Sequence, residues 1–210
     1  MKSQDVGLLL KLVSMRQLEE KGLSAFRKAW PHDWQDWIIG EGAEEIGEWD
    51  HVDYGASRYS VRALEHQTGI SKSQINLSLN RCIDLGLARI DRRLEVPRVN
   101  SKALLEFIVY GLKYVFPAKA GELTRGIATS FGAPVLKEKL LSSGEFQLVW
   151  PDALGKTMGM HIEPLFKSTV YAVKQDPQLY ALMALVDAIR LGQPRESNLA
   201  ADLLKSHMGV

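Results

Sequence analysis

The chain has 210 residues, with 26 Lys and Arg against 25 Asp and Glu and 46% hydrophobic residues, enough apolar content for one large core or two small ones. The single cysteine excludes an internal disulfide and a cysteine-based zinc site. No run approaches the roughly 18 apolar residues that span a bilayer, and the opening MKSQDVGLLLKLVSM is too interrupted by charge for a signal peptide, so a cytoplasmic protein with no membrane partner is expected.

Leu8, Leu9, Leu12 and Val13 fall at helical spacing and predict a first helix over 4–20, capped by Ser3 or Asp5. A second short helix is expected over 23–30 after Gly22. Residues 30–56 then read as an insertion that holds Trp30, Trp34, Trp37 and Trp49 and is acidic, with no Lys or Arg from 31 to 56. Trp34, Trp37 and Ile38 would form one side of a short helix, with the aromatics packed against the N-terminal helices. An acidic segment beside a basic face also has the charge to occupy that face or to repel wrong partners. His32, Asp33, His51 and Asp53 lie in it without a spacing recognised for metal binding, so no metal is expected.

Residues 60–97 predict a short helix, a tight turn, a longer helix and a two-stranded hairpin. Val61 and Leu64 line the first helix, Gly69 ends it, and Ser71 caps the second. Ile75, Leu79 and Cys82 fall on one apolar face, where Cys82 serves as a small hydrophobe rather than a redox sensor. The opposite face offers Ser73, Gln74, Asn76, Leu77, Asn80 and Arg81, whose hydroxyls, amides and guanidinium suit base edges and phosphates. Gly86 breaks the helix, and 87–90 with 94–96 would pair as a ribbon carrying Arg92 and Arg93 at its tip. From 57 to 100 eight Lys and Arg stand against four Asp and Glu, a local surplus that the near-neutral total hides.

The run TGISKSQIN at 68–76, followed by LGL at 85–87, resembles the helix-turn-helix of bacterial winged-helix transcription regulators. The resemblance covers about 40 residues directly and, with a preceding helix, much of the N-terminal half. Two positions depart from its pattern. Glu65 stands four before the turn glycine, where a small residue is usual, and Ser78 stands where an apolar residue is common. The resemblance implies a sequence-specific regulator that binds double-stranded DNA, with the 72–84 helix in the major groove. Ser73, Gln74, Asn76 and Asn80 would read bases, while Ser71, Lys72 and Arg81 fix register on phosphates. Arg92 and Arg93 would contact the backbone or the adjacent minor groove. A homodimer is expected, because two linked half-sites supply affinity that one small module rarely reaches. The alternative is a winged-helix protein-interaction module, an antitoxin or adaptor with little or no DNA binding, which has no need of Arg92, Arg93 and Arg98 together.

In the second half, Asn100 or Ser101 caps a helix through Leu104, Leu105, Ile108, Leu112 and Val115 to Phe116, stopped by Pro117. It is apolar on more than one side, as a buried hub or a dimer face would be. Residues 118–134, with Gly121, Gly126, Gly132 and Pro134, read as a long loop. Strands are expected over 145–150 and 157–162, then a helix from Glu163-Pro164 to about 173. Asp176-Pro177 opens an amphipathic helix through Leu179, Leu182, Met183, Val186 and Ile189 to Gly192, and Pro194 opens the last helix. The expected fold is mainly α with a small β wing. A winged helix-turn-helix domain would occupy 1–100 and a mostly helical dimerisation or sensor domain 101–210, the latter open to a ligand or a protein partner.

Enzyme signatures fail. Gly155-Lys156-Thr157 lacks the glycine five positions earlier that a phosphate loop needs, since Trp150 stands there. Residues 128–132, ATSFG, fall one residue short of a nucleophile elbow, although His161 and Glu163 would offer a base and its orienter. No catalytic residue and no cofactor is expected.

Overall fold

The structure, a computed structural model, describes residues 1–28, 34–38, 55–137 and 146–210. It opens with α1 (Ser3–Lys28), then a 3-10 turn (Ala56–Tyr59), α2 (Val61–Thr68) and α3 (Lys72–Asp84). The hairpin β1 (Ala88–Ile90) and β2 (Pro97–Val99) leads to α4 (Ser101–Tyr110) and α5 (Leu112–Val115). After β3 (Ala120–Thr129) come a 3-10 turn (Ser130–Gly132), α6 (Pro134–Lys137), β4 (Gln147–Pro151) and β5 (Thr157–Ile162). The chain closes with α7 (Thr169–Val173), α8 (Pro177–Leu191) and α9 (Pro194–Met208). Helices dominate, and the strands form two small sheets.

Gly22 leaves the helical region at φ 71° and ψ 162°, so α1 is broken where a residue without Cβ permits it. Upstream of that break α1 is buried on more sides than its apolar spacing suggests, because α3 and β2 cover one flank and α8 and α9 another. One apolar cluster therefore runs from Leu64 and Ile75 through Leu8 and Leu12 to Leu182, Val186 and Leu204.

Helix α8 forms the centre of the second half. The sequence suggests an amphipathic helix, but every residue from 177 to 189 is buried. Its polar positions are satisfied rather than solvated. The Gln178 amide donates to Gln17 Oε1 at 3.0 Å and to the His207 carbonyl at 3.0 Å. The Asp187 carboxylate accepts from Thr129, from the Trp150 indole at 2.7 Å and from Arg190 at 2.7 Å. At the start of α8, Asp176 accepts the Leu179 N–H, takes the Ser14 hydroxyl and pairs with the Lys11 ammonium at 2.8 Å. This ties α1 to α8 inside the core.

Residues 120–129, read from sequence as loop, form β3, the strand that organises the second sheet. It pairs antiparallel with β4 (Gly126↔Pro151 to Thr129↔Leu148) and with β5 (Gly126↔Thr157 to Ala120↔Ile162), while β4 and β5 pair parallel and close the three strands on one another. Gly126 is needed for close approach rather than for a turn, since a Cβ there would strike the Trp150 carbonyl. Two helices also differ from their expected bounds. The helix over 101–116 is interrupted at Gly111, giving α4 and α5, and α7 starts at Thr169 rather than Glu163.

Of the acidic insertion, residues 34–38 are described. They form no helix. Trp37 bridges to Gly155, and Asp36 accepts the Ala128 N–H and the Thr157 hydroxyl. Trp34 and Trp37 pack on Tyr180 of α8, and Trp37 joins the apolar cluster that also holds Leu8 and Leu12 of α1. Trp30, Trp49, His32, Asp33, His51 and Asp53 lie outside the described residues. Among the described residues there is no cluster of metal-ligating side chains, and no helix is long and apolar enough to cross a membrane.

Three buried acids make stability depend on pH. Burial pushes the Asp187 carboxyl above its ordinary value despite Arg190, which favours the fold at low pH, while Asp5 and Asp176 act in the opposite sense. Burial pushes the carboxyls of Asp5 and Asp176 up, but the Arg81 guanidinium at Asp5 and the Lys11 ammonium at Asp176 outweigh it. Both therefore sit below the ordinary carboxylate value. A carboxylate whose pKa is depressed by folding stabilises the fold above its unfolded value, and that contribution is lost as pH falls through the folded one. The melting temperature is therefore expected to fall progressively below about pH 4. A melting temperature unchanged down to about pH 2 in a thermal scan contradicts this.

Candidate nucleic-acid interface

The Ser60 side chain caps α2 by accepting the Ala63 N–H at 3.2 Å. Gly69, at φ 67°, ends it in the left-handed conformation that glycine adopts freely. Buried Thr68 locks the turn, its hydroxyl donating to the Leu64 carbonyl at 2.6 Å and accepting the Ile70 N–H at 3.2 Å. The second half braces the turn from behind. A Cβ on Gly69 would come within 2.9 Å of the Ser168 Cβ, and the Tyr171 hydroxyl donates to the His66 carbonyl at 2.8 Å.

Both departures from the helix-turn-helix pattern acquire a reason here. Ser71 occupies the cap position of α3 but makes no capping bond with its side chain. Glu65 does that work instead, accepting the Lys72 N–H at 3.2 Å while its carboxylate stands 3.6 Å from the Lys72 ammonium. Ser78 is buried, and its hydroxyl accepts from the Gln4 amide at 3.2 Å and from Arg81 at 3.1 Å.

Ile75 and Cys82 face the core beside Ser78. Burial, with the Asp5 charge adding to it, pushes the Cys82 thiol up to about 12, so almost no thiolate forms at neutral pH. Iodoacetamide is expected to leave Cys82 unmodified in the folded protein and to alkylate it in urea. Equal labelling in both states, read by mass spectrometry, contradicts its burial.

The outward side of α3 divides in two. Ser71, Lys72, Ser73, Asn76, Leu77 and Asn80 are exposed, and no described element covers them. Gln74 and Arg81 are drawn onto the scaffold. Gln74 Oε1 accepts from the Gln4 amide at 3.0 Å. Arg81 grips fully buried Asp5 through two hydrogen bonds, of 2.6 and 3.0 Å. The sequence places Gln74 on bases and Arg81 on phosphates; these bonds also hold both side chains against α1.

After Gly86, at φ 69°, the chain enters the hairpin, whose register is Ala88↔Val99, Arg89↔Arg98 and Ile90↔Pro97. The second strand lies three residues beyond the expected 94–96. The Asp91 carboxylate accepts the N–H groups of Arg93 and Leu94 and folds that stretch into the turn. Arg92 and Arg93 stand exposed at the tip beside exposed Ile90 and Leu94.

Arg98 is not part of that surface. It donates to Glu19 at 2.8 Å and to the Tyr59 hydroxyl at 2.9 Å, and it lies over the Tyr59 ring. Asp5 and Glu19, both contributed by α1, thus halve the surplus of four cations counted along 57–100. Among the described residues, Arg62, Arg89, Arg92 and Arg93 form no ion pair, and Arg89 and Leu77 are exposed positions that the motif does not single out. Strand alternation does not single Arg89 out, since Ala88 before it is buried but Ile90 after it is exposed as well.

The arrangement offers one helix face of hydroxyls and amides around Leu77, and one hairpin tip of unpaired guanidinium groups. Such a pair of surfaces suits an anionic, groove-bearing polymer. No protein-family model, no curated protein and no solved structure matches the chain.

Proposed function

We propose that this chain is a sequence-specific, double-stranded DNA-binding transcription regulator acting in the cytoplasm as a homodimer, with α2, α3 and the β1–β2 hairpin working as a winged helix. The observation that carries this reading is the open polar face of α3, held by partly buried bonds on its inner side and left uncovered by any described element on its outer side. In the major groove, Ser73, Asn76 and Asn80 meet base edges, and Leu77 suits a thymine methyl group. Ser71 and Lys72 take phosphates at the helix start, and Arg92 and Arg93 reach the backbone or minor groove beyond. The brace from Tyr171 to the turn, and the Lys11–Asp176 pair, are routes by which a ligand or protein partner on the second half would act on α3.

A second reading has its own support. Leu77, Ile90 and Leu94 are 49%, 48% and 49% exposed, and apolar groups so placed suit a protein surface. An antitoxin or adaptor would use them with little or no DNA binding.

Selection from a pool of random duplexes separates the two. The regulator reading predicts an enriched motif. Asn76→Ala then keeps affinity for unrelated duplexes but loses about 1–3 kcal/mol of discrimination at one base pair. A pool without enrichment favours the protein-docking reading.

A further inference from the structure

The strongest unexplained surface lies on the far side of α4 and α5. Leu104, Ile108 and Leu112 face the core, while Lys102, Glu106, Tyr110, Lys113 and Tyr114 form one outward stripe at helical spacing. Tyr110 is 76% exposed and Tyr114 74% exposed, and both are large aromatics on a helix otherwise rich in apolar residues. Leu105, Phe107 and Val109 flank them, half-buried. Glu106 forms no ion pair within the described chain, although Lys102 lies one turn before it. Gly111, at φ −117° and ψ −35°, interrupts the helix, and Lys113 and Tyr114 on α5 are exposed as Tyr110 is on α4.

We infer that this stripe is the seam of the homodimer, two copies packing it antiparallel about a two-fold axis between Val109 and Tyr110. The charges choose both the occupant and the direction. About such an axis Glu106 of one copy faces Lys113 of the other, and the same pair recurs on the opposite side, as an isologous interface requires. Apolar groups meet apolar groups in the same register: Tyr110 meets Val109, and Tyr114 meets Leu105. A parallel arrangement would set Lys102, Glu106 and Lys113 each against its own copy, which like charges oppose. Because α4 follows β2 directly, with Asn100 capping it at the foot of the hairpin, a seam here also fixes the spacing of the two DNA-facing helices.

This inference deepens the regulator reading by naming the partner it calls for. It is tested without DNA, so its failure leaves duplex binding by a single copy measurable separately. Sedimentation equilibrium of the full chain is expected to show a dimer. Glu106→Lys and Lys113→Glu each raise the dimer dissociation constant about tenfold or more, and combining them restores it to within about threefold of the parent. Tyr110→Glu, checked for folding by circular dichroism, is expected to be a monomer. A monomeric parent chain, single swaps that leave the constant unchanged, or a double swap no better than the singles each overturns the seam. A folded, dimeric Tyr110→Glu variant does the same.

Discussion

Replacing Lys11 by Met is expected to cost about 3–5 kcal/mol of folding stability, the range for breaking a buried ion pair by removing one partner. The side chains of Lys11 and Asp176 are only 6% and 5% exposed, so the carboxylate left behind cannot recover its lost partner from water. Ser14 and the Leu179 N–H still reach Asp176, which holds the loss toward the lower end of that range. Methionine fills much of the volume of the lysine stem, so cavity formation adds little. For a domain whose total stability is about 5–15 kcal/mol, the change is easily read in a urea titration. A loss below about 1 kcal/mol would mean that the pair is solvated and does not join α1 to α8.

Replacing Arg92 and Arg93 together by Ala is expected to weaken binding to every duplex, whatever its sequence. Each phosphate contact removed takes about 0.9 from the slope of log affinity against log salt, so the double variant loses close to 2. At physiological salt this is roughly a ten- to hundredfold loss. Neither side chain forms an ion pair or side-chain hydrogen bond among the described residues, so the melting temperature should stay within about a degree of the parent. An unchanged salt slope in anisotropy titrations removes the hairpin tip from the interface.

The elements that sequence reading locates well are those whose signals are local. Gly22, Gly69, Gly86, Asn100, Asp176-Pro177 and Pro194 each mark a boundary by their own local chemistry, and the structure uses them there. What the sequence hides is set by long-range partners. Gly126 reads as a loop glycine until the Trp150 carbonyl is seen against it. Glu65 and Ser78 read as defects until Lys72, Gln4 and Arg81 are seen to need them. Charge counted along 57–100 overstates the surface, because Asp5 and Glu19 neutralise Arg81 and Arg98 from a helix more than 70 residues away in sequence. The open face of α3 was legible as a set of residue types. Which of its members are free to touch a partner was not.

Site-directed photo-crosslinking reads whether this face of α3 enters a DNA groove. Cys82 is buried, so Asn76→Cys provides the one accessible thiol among the described residues for a photoactivatable label, with Asp202→Cys on the exposed side of α9 as the control. The label at position 76 is expected to crosslink to bases of a bound duplex, and the label at position 202 is not. Crosslinking to DNA from position 202 alone, or from neither position while the duplex is bound, would contradict groove entry by α3.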